Sequence, residues 1–219
     1  VGLQYLQTVL DAPADHGDDQ GDLLLRGHKL QALIDPEFTL VQAIDSFLHR
    51  DSRDLTGYED GTENPKDAAA IEAAVAQGKG TGIDGSSFAA VQQWLHDFPK
   101  FDAMSHAEQN DCFGRDRDSN EELDEAPDSS HVKRTAQEDF EPEAFVVRRS
   151  MPWVAGAEAG LVFLAFGKSF DAYEAQLRRM TGHDDGISDA LFRFTRPLTG
   201  GYCWCPPIAD NGADLTALG

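Results

Sequence analysis

Three residues in this chain could do chemistry together: a carboxylate in a shaped loop, an isolated histidine and an arginine at a strand end. The loop is GYEDGTENP, residues 57–65, with two glycines, a proline, three acids and almost nothing to bury. Its carboxylate Asp60 stands just before Gly61, so a tight polar turn is built around one acid. The histidine is His131, in Asp-Ser-Ser-His-Val-Lys-Arg, where an acidic stretch turns back into ordered chain. The arginine is Arg148, which with Arg149 and Ser150 follows an apolar strand. Each also has an ordinary reading. A lone histidine more often serves a core or a surface than a metal, and an arginine at a strand end is usually a solvated charge. The chain has no HExxH, no CxxC pair and no CxxCH, which argues against zinc and covalent haem. It also lacks the GxSxG elbow and the Walker loop. Taken singly, these residues define no more than a soluble α+β domain.

The elements that must position them are partly legible. Residues 11–22 read as an acidic loop or disordered stretch, and 23–50 hold the apolar pieces LLL and FTLVQAI of open type. A helix is expected from Asp67, as its cap, to Gly78, with Ile71 and Val75 on one face. Ser87–His96 reads as a strand. Ser105-His106-Ala107-Glu108 is a capping box opening a short helix. Residues 97–144, with 15 acids against five Lys and Arg, read mostly as loop. Asp116-x-Asp118-x-Asn120 begins like a calcium loop but puts Glu121 where glycine is required and Pro127 where the last glutamate belongs. Ala144–Val147 and Gly160–Phe166 are strand-like. Ser169 is expected to cap a helix with Phe170, Tyr173, Leu177 and Met180 on one face, ended by Gly182. LFRFTRPLTGGYCWCPP gives a short turn or helix and then a strand. Without a regular βαβ rhythm, α+β is the expected class.

Bulk properties narrow the partners. Of 219 residues, 41% are hydrophobic, enough for a sizeable core, and the formal charge is −21, which repels nucleic acid and anionic membranes. Cys112, Cys203 and Cys205 make no disulfide framework, and no secretory or membrane-spanning segment is evident, so the expected location is the cytoplasm.

In combination the motifs say more. GYEDGTENP, with Asp54-Leu55-Thr56 before it, resembles the GxxDGTxNP loop of the dye-decolourising peroxidases. SSHVKRT, VVRRSMPW and DALFRFTRPLTGGYCWCPP follow in the order and spacing of that family's B-type members. The resemblance runs from about Asp54 to Ile208, roughly 70% of the chain. It implies a ferredoxin-like α+β fold, non-covalent haem b, reduction of hydrogen peroxide and oxidation of an organic, dye-like or aromatic donor. It implies that His131 is the axial ligand of the iron and that Asp189 accepts from its other ring nitrogen. Asp60 matches the distal acid and Arg148 the distal arginine, the pair that would move a proton and steady negative charge. Arg115, in Phe-Gly-Arg, looks like the partner of a haem propionate. Gly61, Asn64 and Ser150 match support for the distal pocket, Asn64 by shaping the loop and Ser150 where some relatives have Asn.

The front of the chain departs from the family. A whole ferredoxin-like half should precede the Asp60 loop, needing roughly 70 residues, whereas 59 are present and the chain opens on Val1. Residues 1–50 are therefore expected to be a shortened or divergent portion, 51–208 the haem-binding domain with its second half whole, and 209–219 a disordered tail. Implied partners are peroxide, a small reductant, a second copy of the chain and an encapsulating nanocompartment, although the tail carries no legible signal for one. Two other readings stand beside the enzyme: a haem-binding or haem-handling protein with little turnover, and an assembly subunit with a vestigial haem site. Trp94, Trp153, Tyr202 and Trp204 could relay electrons or be ordinary aromatics.

Overall fold

A computed structural model describes residues 20–35, 37–209 and 212–219. Its centre is strand β1 (Ser87–His96), flanked on one side by β4 (Glu158–Gly167) and on the other by β5 (Thr195–Cys205), both antiparallel to it. Short strands β2 (Val147–Arg148) and β3 (Met151–Ala155) pair in succession along the far edge of β4. Helices fill the connection from β1 to β2: α3 (Phe98–Asp102), α4 (His106–Phe113) and α5 (His131–Thr135). Helix α6 (Asp171–Met180) returns from β4 to β5. The first and second strand positions are thus separated by the third, the split βαβ arrangement of a ferredoxin-like α+β fold. Two earlier helices, α1 (Gln20–Ile34) and α2 (Asp67–Ala74), precede the sheet.

Packing follows from small residues at close approaches. Gly160 on β4 must be a glycine: a Cβ there would stand 2.0 Å from the carbonyl oxygen of Trp94. That carbonyl also accepts a hydrogen bond from the buried Trp153 indole at 2.9 Å. Ala90 on β1 and Ala165 on β4 admit Val146 and Tyr173, closing one core cluster under α6. A second cluster joins Tyr58, Phe101, Cys112, Ala190 and Phe194, so the Asp60 loop shares a core with α3, α4 and the turn before β5. The β1–β5 register shifts between Gln93 and Trp94. Such a bulge re-aims the residues after it, and His96 is two residues on.

The capping box at α4 is formed: the Ser105 hydroxyl accepts from the Glu108 amide and the Glu108 carboxylate accepts from the Ser105 amide. Helix α6 has acids in its first turn and Arg178 and Arg179 in its last, complementing its dipole. The Ser169 hydroxyl accepts from the Asp171 amide, with Phe170 in the cap position itself.

Other expectations are corrected. Helix α2 is not capped by Asp67, which is its first residue, and stops at Ala74 instead of Gly78. The Ala76 amide and carbonyl are taken by Ser86 and Gly85, which pulls the chain off the helix axis. Its buried face is Ala73, and Ile71 is exposed. Residues 20–22 open α1 and do not form a loop, and LLL lies within that helix; residues 11–19 lie outside the described residues. FTLVQAI adopts no helix and no extended strand, and Phe38, Leu40 and Val41 stay exposed. The 97–144 stretch is more helical than its acidity suggests. Ala144 and Val146 donate their amides to the backbone and side chain of Gln137, so only Val147 of that run is in a strand. The described tail residues do not form the expected disordered stretch: β6 (Ile208–Ala209) pairs with β7 (Gly212–Ala213), and a 3-10 turn (Thr216–Leu218) lies against Gly82.

Candidate active site

The Asp60 loop is held from several sides. Asp54 closes an Asx turn, its Oδ2 accepting from the amide and hydroxyl of Thr56. The Asp60 amide donates to the Ser52 carbonyl at 3.1 Å. Arg53 donates to the carbonyls of Gly57 and Arg117 and to Glu59. Gly61 has φ +78°, the left-handed region that favours glycine, and a Cβ there would also meet the Asn64 amide nitrogen at 2.8 Å. Asn64 then makes a reciprocal pair with the backbone of Arg148: its Oδ1 accepts from the Arg148 amide at 2.8 Å and its Nδ2 donates to the Arg148 carbonyl at 3.0 Å. As expected from the sequence, Asn64 shapes the loop.

The loop lines a cavity of about 290 Å³ that also meets His131, Arg115, Arg148, Phe113, Leu191 and Phe194. A second lobe of about 100 Å³ shares Asp60, His131 and Arg148 and adds the apolar walls Phe163, Leu177 and Met180. Inside, the nearest Asp60 oxygen and Arg148 nitrogen are 3.8 Å apart. The Arg148 Nε is buried with no hydrogen-bond partner among the described residues, and the side chain borders both lobes.

His131 opens α5. Its Nδ1 and the Asp189 carboxylate Oδ2 are 2.7 Å apart, which leaves Nε2 for another partner. Asp189 is 2% exposed. Its other oxygen accepts from the Leu191 amide at 2.9 Å, capping the 3-10 turn Ala190–Arg193. The Ala190 amide donates to the Ser129 carbonyl, so the acid and the histidine are also joined through the backbone.

Two sequence-derived residues sit differently from the simplest expectation. Arg115 reaches the cavity wall, but its Nη2 already lies 2.7 Å from Glu63 and 2.5 Å from Glu122. An incoming carboxylate would have to displace one of them. Ser150 lies outside both lobes, in a small adjoining pocket with Asp60 and Leu161, its hydroxyl buried and unpartnered among the described residues. The sequence reading missed His96, which lines both lobes and lies 3.2 Å from Asp54. The available signal was its place at the end of an extended strand, beside the acidic turn-former Asp97.

Burial pushes the Asp54 carboxyl up, but hydrogen bonds from His96 and Thr56 and the charge of His96 carry it below the ordinary carboxylate range. An acid depressed in the fold stabilises it above the unfolded value and loses that effect as pH falls. Acidification below about pH 4 should therefore weaken this loop's attachment. Asp54→Asn should be less stable near neutrality and lose less on acidification, a difference read from denaturant midpoints across pH.

The sheet and its helices define a ferredoxin-like α+β fold, and comparison with known proteins gives the family. A family model described as Dyp-type peroxidase, C-terminal, matches residues 51–210, and the chain belongs to that family. It is 33% identical over 190 residues to a dye-decolorizing peroxidase of Mycobacterium tuberculosis, covering 84% of this chain and 56% of that protein. A counterpart from Mycolicibacterium paratuberculosis is 31% identical, over 83% of this chain and 53% of its own length. The chain thus spans about half the length of the curated relatives it matches. Among solved structures, a dye-decolorizing protein from V. cholerae superposes with a TM-score of 0.77 at 32% identity, covering 84% of this chain and 62% of that one. A Rhodococcus jostii DypB variant in complex with heme gives 0.81 at 29% identity, covering 86% and 63%.

Proposed function

We propose that residues 51–208 form the haem-binding part of a peroxidase that reduces hydrogen peroxide and oxidises a dye-like or aromatic donor. The observation that carries this reading is one cavity lined by His131, with Asp189 behind it, and by the Asp60–Arg148 pair. The residues fit a non-covalent haem b. His131 would hold the iron through Nε2, apolar residues of both lobes would flank the ring, and Arg115 would meet a propionate. Haem, when bound, supplies the redox iron at which peroxide is cleaved. The chain does the rest. Asp189 keeps the His131 proton on Nδ1 and so fixes the tautomer and the ring's orientation. The Asp60 carboxylate takes a proton from peroxide and returns it to the leaving oxygen. Arg148 places a fixed positive charge where negative charge grows. Leu161, Leu191 and Phe194 limit water around them. The three cysteines are free, which suits a reducing cytoplasm; among the described residues no helix is long and apolar enough to cross a membrane.

An absorption spectrum of the haem-reconstituted chain tests the reading, followed by peroxide-dependent oxidation of an aromatic dye. A Soret band with dye turnover is expected. A Soret band without turnover would leave a haem carrier, and no band would remove the haem reading.

Asp189→Asn gives a sharper test of the acid. Asparagine has one carbonyl oxygen where Asp189 uses two, so either the Leu191 amide or His131 loses its acceptor. A less basic His131 should raise the reduction potential, and haem affinity should fall about 10–100-fold. An unchanged potential would show Asp189 to be only the cap of its turn.

A further inference from the structure

We infer that His96 is a positioning residue which, with Asp54, ties the Asp60 loop to the central strand and thereby sets where Asp60 stands in the cavity. This rests on the peroxidase reading for its consequence, though not for its geometry.

The loop touches the sheet through polar side chains on both sides of Asp60. After it, Asn64 clamps the Arg148 backbone at β2. Before it, His96 at the end of β1 reaches Asp54, with Nε2 3.2 Å from Oδ1. On the other side of the ring, Nδ1 is 2.8 Å from the Thr195 hydroxyl, which also lies 3.1 Å from the Leu95 carbonyl oxygen. The imidazole is therefore fixed by strands β1 and β5 at once. Both side chains are nearly enclosed, at 6% exposure for His96 and 10% for Asp54. The ring is also packed against Phe98 and Phe194.

Asp54 spends its second oxygen on the Thr56 amide and hydroxyl, and its backbone bonds Gly57 and Tyr58. A force on its carboxylate is thus passed directly into the turn that leads to Asp60. The other side-chain hydrogen bonds to the loop, from Arg53, Asn110, Arg115, Asn120 and Gln137, run within the loop or to the helical segment between β1 and β2 and not to the sheet. Without His96, among the described residues the loop is tied to the sheet by side-chain hydrogen bonds only at its far end, through Asn64. The buried Asp54 carboxylate also loses its strongest partner and has reason to turn toward water.

Amide hydrogen exchange on the haem-free full chain tests the tie. In His96→Ala, the amides of Asp54, Thr56, Gly57 and Asp60 should exchange roughly tenfold faster, a local opening, while those of the β1–β4 ladder hold their rates. His96→Gln keeps an amide donor near the position of Nε2 and should restore most of the protection. Unchanged exchange in His96→Ala overturns the inference. Equal loss in the Gln variant also overturns it, because the effect would then be lost ring packing. The haem-loaded protein supplies the second readout. Hydrogen cyanide gives up its proton when it binds ferric haem, so its association rate reports whether Asp60 is in place. That rate should fall in His96→Ala and recover in His96→Gln. A freed loop with an unaltered cyanide rate would refute the positioning of Asp60. Should the chain take up no haem at all, exchange still decides the tie, and the peroxidase reading alone fails.

Discussion

His131→Ala should leave a folded protein that retains no haem, so that reconstitution and gel filtration yield no Soret band. The reason is geometric. Asp189 occupies Nδ1, and the ring borders both lobes of the cavity, so Nε2 is the nitrogen available to a metal. His96, the other histidine in the cavity wall, has partners 3.2 Å and 2.8 Å from its two nitrogens and cannot substitute without breaking its ties. Removing the imidazole also strands Asp189, a carboxylate 2% exposed, with only the Leu191 amide. Loss of such a charged hydrogen bond costs about 1.5–3 kcal/mol, so some destabilisation will accompany the variant. The double variant His131→Ala/Asp189→Ala separates the effects, since it removes the stranded charge and should recover stability while still failing to hold haem. A wild-type Soret band and stoichiometry in either variant would disprove the assignment of the ligand.

Arg148→Leu should slow the reaction with peroxide by on the order of 100-fold or more, the usual consequence of deleting a fixed electrostatic donor. Asp60→Ala should slow it less, because a water molecule can replace a proton shuttle while nothing mobile replaces a fixed cation. The guanidinium is well placed for this role. It is 14% exposed, 3.8 Å from Asp60, and has a buried Nε with no partner among the described residues. Leucine fills similar space without charge or donors. Stopped-flow absorbance at matched haem loading gives the three rates. Equal rates would mean that the pair does not act as proposed.

Much of this architecture could be read from local signals. Strand β1 and the capping box before α4 matched their expected positions because local composition and capping are decided by neighbours in the chain. Helix α6 was legible through its apolar face and its terminal charges. What failed was decided by distant partners. The α2 terminus depends on Gly85 and Ser86 taking the Ala76 backbone, and the loss of a strand at 144–146 depends on Gln137. The described tail residues are held because the Asp214 carboxylate accepts from the Thr216 amide and the Asp214 amide donates to the Pro207 carbonyl. The site divides in the same way. Asp60, His131 and Arg148 stand in recognisable motifs, so their meeting in one cavity could be anticipated. His96 could not be singled out, because its importance lies in Asp54, 42 residues away. The ties of Arg115 to Glu63 and Glu122 were equally hidden, since one partner lies 52 residues off in a separate motif.

Asn64 grips Arg148 by its amide and carbonyl and leaves the guanidinium alone. A gene drifting at codon 148 would therefore keep the loop docked whatever side chain it encoded, short of proline, which has no amide hydrogen to give. Position 148 is thus open to evolutionary trial: its charge, length and polarity can change the chemistry of the cavity without first dismantling the frame around it. Codon 64 has no such freedom, because Asn64 supplies an acceptor to the amide and a donor to the carbonyl of one residue, and few side chains offer both. Directed evolution of this pocket would be expected to collect folded variants of altered chemistry at Arg148 and loosened ones at Asn64.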